Sequence, residues 1–174
     1  MSKNSFELST KVIAEIVAFV ALASVLSYIK IYTMPQGGSV TAGSMIPILW
    51  LAVRRGPKIG LFAAVVYGLV QLALEPYIYH PAQVLLDYPI AFGALGLAGF
   101  FRNHPFIGVN VGIAGRFLAH FVSGILFFAT YAPEGMHPAV YSAIYNGGYL
   151  LAELAISIYI FYLLHEAKVL KAFI

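Results

Sequence analysis

The chain has 174 residues, 61% of them hydrophobic and only 10% charged, and a mean hydropathy of +0.86. One water-soluble core cannot hide so much apolar surface, so an integral membrane protein is expected, compact enough for one bundle of helices. The net charge of +3 does not point to nucleic acid, because Lys and Arg fall at the ends of apolar runs instead of along one polar face.

Residues 1–10 are polar and no small-residue cleavage site follows the first apolar run, so no removable signal peptide is expected. A helix needs about 20 apolar residues to cross the hydrocarbon. On that scale the chain predicts an all-α membrane protein of six transmembrane helices forming a single domain over residues 1–174. The spans are about 12–29, 41–53, 59–74, 82–101, 107–130 and 139–164. Between them, residues 34–38, 54–58, 75–81, 102–105 and 133–138 carry Gly or Pro with polar residues. Helices 2 and 3 are short, which implies tilt or a thinned rim. Helix 1 bears Ala14, Ala18 and Ala21 on a small-residue face that suits either a docking partner or internal packing.

Positive charges near span ends are retained in the cytoplasm. Lys3, Lys11, Arg54, Arg55, Lys58, Arg102, Lys168 and Lys171 all fall on one side of the six-span arrangement, and Lys30 alone on the other. Both termini are therefore placed in the cytoplasm. Counting about 1.5 Å per residue then puts Asp87, Tyr88, His120, Tyr141 and Asn146 in one layer of the outer half of the bilayer, with Arg116 one turn deeper.

A charge in the bilayer core costs roughly 2.5 to 3.5 kcal/mol on insertion scales, so Asp87 and Arg116 require partners, a cavity or a ligand. Polar groups converging from three helices describe a pocket open to the exterior. One carboxylate among Tyr88, Phe127, Phe128, Tyr141 and Tyr145, with His120 and Asn146 as neutral donors and acceptors, suits a flat heterocycle carrying positive charge. Structural roles compete: Asp87 pairing with Arg116, His120 as a bonded core residue, and Asn146 bridging helices, whereas Glu153 neutralising Arg116 would free Asp87 for a ligand.

Catalysis is not expected. His120 and Ser123 lie three apart on one helix face without an oxyanion turn, and the remaining histidines offer no metal-ligand spacing. There is no cysteine and no phosphate loop of the GxxxxGK type. Transport would be passive or driven by another subunit.

Four segments carry a resemblance: QGGSVTAGSMIPILWLAVRRG (36–56), HPAQVLLDYPIAFGALGLAGFF (80–101), GRFLAHFVSGILFFATYAPEG (115–135) and YSAIYNGG (141–148). Together, in this order and spacing, they resemble the thiamine-specific substrate-binding subunits, or S components, of energy-coupling factor (ECF) transporters of the prokaryotic plasma membrane. The resemblance implies capture of thiamine from outside and docking on a transmembrane coupling protein with two ATPases. This chain would need no cofactor of its own, since ATP is used only by those partners. It implies ligand contacts at Asp87, Tyr88, His120, Arg116, Phe128, Tyr141 and Asn146, and partner docking through Ala14, Ala18 and Ala21. The region around Gly37 and Thr41 lacks the tryptophan and glutamate that some relatives carry. Other readings are an S component for another flat vitamin or precursor, and a passive facilitator.

Overall fold

The computed structural model describes residues 9–169, so Lys3 and Lys171 lie outside the described residues. Helices α1 (Thr10–Ser27), α2 (Ile46–Arg55), α3 (Pro57–Leu74), α4 (Pro81–Phe101), α5 (Pro105–Phe127) and α6 (Pro138–Glu166) pack side by side. Between α1 and α2 the chain forms a short antiparallel hairpin of β1 (Lys30–Thr33) and β2 (Ser39–Thr41), with Lys30 opposite Thr41 and Thr33 opposite Ser39.

The hairpin is a small addition to the mostly helical architecture that the sequence predicts. Ile31, Tyr32, Thr33, Val40 and Thr41 are β-branched or aromatic residues that favour extended backbone, and Pro35 to Gly38 supply the turn. Gln36 and Gly37 close it with φ of +47° and +92°. The hairpin takes the residues expected to open helix 2 at Thr41, so α2 begins only at Ile46.

Among the described residues five helices are long and apolar enough to cross a membrane; α2 is not one of them. Its 10 residues span about 15 Å, half of a hydrocarbon core about 30 Å thick. It sits instead in the middle of the bundle, touching each of the other five helices, with Ile48, Leu49, Leu51 and Ala52 fully buried. A helix that ends inside a membrane protein must have its terminal peptide groups met by neighbours. Arg102 does this at the C-terminus, donating from Nε to Val53 O and from Nη2 to Arg54 O. At the N-terminal side, Thr41 Oγ1 accepts from Ser44 N. Gly56, at φ +88°, then turns the chain directly into α3, a conformation that a side chain would strain. Glu15 clamps the same end by a bidentate bond to Arg55, at 2.6 Å for each oxygen, and a 3.4 Å contact to Arg54.

The other helices start earlier than the apolar runs suggest. Pro57, Pro81, Pro105 and Pro138 read as loop punctuation, yet each is the first helical residue, where proline's missing N–H has no helical acceptor to lose.

α4 changes winding along its length. After one ordinary turn it widens to a π turn over Leu86–Ile90, which contains Pro89, and its last part, Ala94–Phe101, tightens to 3₁₀ geometry. With three residues per turn, Gly96 and Gly99 come into line on one face. That row lies against the start of α3, where a Cβ on Gly96 would strike the backbone of Leu61 and one on Gly99 would strike Gly56 and Pro57.

Gly96→Val is therefore expected to lower the thermal midpoint of the detergent-purified protein, at an overpacking cost of about 1–3 kcal/mol or more. Gly148→Ala, in open space on α6, should leave it unchanged or raise it slightly, and a fluorescence melting curve distinguishes the two.

Candidate ligand-binding site

A cavity of about 360 Å³ lies between the hairpin, α3, α4, α5 and α6. All seven side chains expected at a ligand site line it: Asp87, Tyr88, Arg116, His120, Phe128, Tyr141 and Asn146. Their hydrogen bonds separate those free to meet a ligand from those that hold the wall.

Asp87 sits in the π turn of α4 and is anchored from three directions. Its Oδ2 accepts from Gln83 Nε2 at 2.7 Å and Ser123 Oγ at 3.0 Å, and its Oδ1 lies 2.9 Å from His120 Nδ1. Arg116 Nε donates to His120 Nε2 at 3.3 Å. A guanidinium can only donate, so Nε2 must be the acceptor and the imidazole proton sits on Nδ1, directed at Asp87. His120 is thereby a neutral bridge between a carboxylate and a guanidinium. The Arg116 guanidinium also stacks over Phe92, 3.9 Å from the ring centroid, and among the described residues makes no ion pair with Asp87 or Glu153. Neither direct pairing considered for it from sequence is formed.

Ser123, three residues after His120, gives its hydroxyl to Asp87. Asn146 has the bridging role: its Nδ2 donates to Ser142 O, Ser142 Oγ and His120 O, while its Oδ1 accepts from Tyr149. Tyr88 presents its ring to the cavity, but its hydroxyl donates to Glu75 O at 2.8 Å and accepts from Tyr77 N at 2.7 Å, holding the loop that enters α4.

Aromatic rings form the mouth. Phe128 packs between Tyr77 and Tyr79, with centroids 5.9 and 5.8 Å away, and Tyr141 stacks on Tyr145 at 6.0 Å. The Tyr145 hydroxyl accepts from Gly38 N at 3.0 Å and donates to Pro35 O at 3.3 Å, so it fastens the hairpin tip over the cavity. On the opposite side Lys30 bonds both oxygens of Glu75 at 2.7 Å.

The sequence reading counted one carboxylate, but the cavity is also lined by Glu75 at its rim and by Glu153, 3% exposed on α6. Its Oε1 accepts from the Thr41 backbone N–H and hydroxyl at the end of β2. The signal was available: Glu153 follows Asn146 by seven residues, two helical turns on the same face. Gln83, four residues before Asp87, was legible by the same spacing.

Comparison with known proteins gives a consistent result. The family model described as "Thiamine transporter protein" matches residues 13–172. The thiamine transporter ThiT of Bacillus subtilis (strain 168) is 35% identical, over 82% of this chain and 83% of that protein. The thiamine transporter ThiT of Lacticaseibacillus paracasei is 32% identical, over 84% and 83%. A solved structure of ThiT from Listeria monocytogenes superimposes with a TM-score of 0.82 at 27% identity, covering 91% of this chain and 94% of that one. These relatives are named as transporters and not as enzymes, and the chain belongs to their family, the thiamine transporter proteins.

Proposed function

We propose that the chain is the S component of an ECF-type uptake system, binding thiamine from outside the cell and passing it inward when docked on an ATP-driven module. The observation that carries this reading is the composition of the cavity. Asp87 and Glu153 bring two negative charges and Arg116 one positive, His120 is neutral, and Lys30 and Glu75 cancel at the rim. The balance is one negative charge, framed by aromatic rings, and it suits a planar ligand bearing one positive charge. Thiamine, with a cationic thiazolium and an aminopyrimidine, has that chemistry. Detergent-purified protein titrated by calorimetry should bind thiamine and leave riboflavin and biotin unbound; an absent thiamine signal would remove the reading.

Six membrane-associated helices with both termini in the cytoplasm fit the placement of charge. Arg54, Arg55 and Arg102 gather with Glu15 at one end of the bundle, and the hairpin and cavity mouth occupy the other. The proposed location is the prokaryotic plasma membrane, with the cavity mouth outward. On α1, Ile16, Val20 and Ala23 face the bundle, while Ala14, Ala18 and Ala21 are exposed on the opposite side. That bare face is where the coupling protein would dock, the two ATPases supplying the energy.

Three outcomes are expected. Asp87→Asn removes the charge and one of the two oxygens that accept from Gln83, Ser123 and His120, so thiamine affinity should fall by about 2 kcal/mol or more, roughly 30-fold, in the same titration. Tyr145→Phe releases the hairpin tip and should speed thiamine dissociation up to about tenfold with a smaller effect on association, read by stopped-flow fluorescence. Trp at Ala14 and Ala18 should leave the binding isotherm intact and abolish uptake by cells expressing the whole transporter.

A further inference from the structure

Among the described residues, three buried side-chain polar atoms lack a hydrogen-bond partner: Gln36 Oε1, Glu153 Oε2 and Ser157 Oγ. Two of the three, on Gln36 and Glu153, belong to residues that line the cavity, one from the hairpin tip and one from α6. An amide oxygen and an ionised carboxylate oxygen both accept and do not donate. A buried acceptor without a donor is costly, and a buried carboxylate oxygen more so, which makes these atoms the places where a ligand has most to offer.

Glu153 stands apart from Asp87 in how its charge is met. Asp87 already accepts from Gln83, Ser123 and His120, and His120 links it to Arg116. Glu153 accepts only from Thr41, and only on Oε1. Without Glu153 the cavity would hold one carboxylate against one guanidinium, with no reason to prefer a cation over a neutral molecule of the same shape.

We infer that Glu153 is the counter-ion of the bound cation and at the same time the tie between that cation and the hairpin. One carboxylate oxygen faces the ligand's positive ring and the other holds Thr41, the last residue of the hairpin. The ligand's charge then strengthens the clasp on the structure that covers it. This rests on the reading of the chain as a thiamine-binding protein, because the cationic ring is thiamine's thiazolium. Gln36, whose carbonyl oxygen is free at the hairpin tip, meets a neutral donor of the same ligand.

The test is a two-ligand titration of the purified full chain, with thiamine and with its neutral analogue in which carbon replaces the charged ring nitrogen. Wild type should prefer thiamine. Glu153→Gln retains a carbonyl oxygen for Thr41 and loses the charge, so it should weaken thiamine about tenfold or more while moving the analogue little, erasing the preference. Thr41→Val removes a hydrogen bond to Glu153 but keeps the charge, and should retain the preference with faster release of both ligands. Equal loss for both ligands in Glu153→Gln, no loss for either, or loss of the preference in Thr41→Val would each overturn the inference. If wild type does not bind thiamine at all, the proposed function fails first and takes this assignment with it.

Discussion

The chain of contacts from Asp87 through His120 to Arg116 is the constraint on which the rest depends. A carboxylate and a guanidinium are placed among apolar helices, and neither is tolerated alone. Joining them through a neutral imidazole fixes the rotation of α5 against α4 and keeps the opposite charges from closing on each other. A direct ion pair would fill the space between them. Holding them apart leaves a wet volume between the helices, and the neighbouring residues follow: Gln83 and Ser123 satisfy the far side of Asp87, and Asn146 ties α6 to the His120 carbonyl.

The π turn of α4 belongs to the same solution. Pro89 has no N–H to give to the turn before it, so the helix is already short of a bond there. Widening at that point sets Asp87 where Gln83, Ser123 and His120 can all reach it. Such turns recur at functional sites because the extra residue redirects side chains without ending the helix. One irregularity thus serves both the backbone and the cavity.

Much of this was legible from residues. Long apolar runs marked α1, α3, α4, α5 and α6, and buried charges within them pointed to one layer because depth along a helix follows residue number. The hairpin was not legible: strands of four and three residues have too little alternation to compete with an apolar run that continues from Val40 into α2. The start of each proline-led helix was missed because proline serves equally as a loop signal and a first helical residue. Nor could spacing tell which donor each polar group would choose. Ser123 stands near both His120 and Asp87, and only the third dimension assigns it to the carboxylate. Arg116 had two attractive acids within reach on paper and takes neither, because a histidine one turn away on its own helix and the face of Phe92 are nearer.

The glycine row on α4 divides the bundle into two unlike halves. Where Gly96 and Gly99 meet α3, backbone lies on backbone, and Ile48, Leu49, Leu51 and Leu95 are fully buried in the interior. Widening the bundle along that row would separate surfaces that have no flexible side chains to yield. The half beneath the hairpin has room for a solute, and the half along the glycine row gives way only where whole helices move apart.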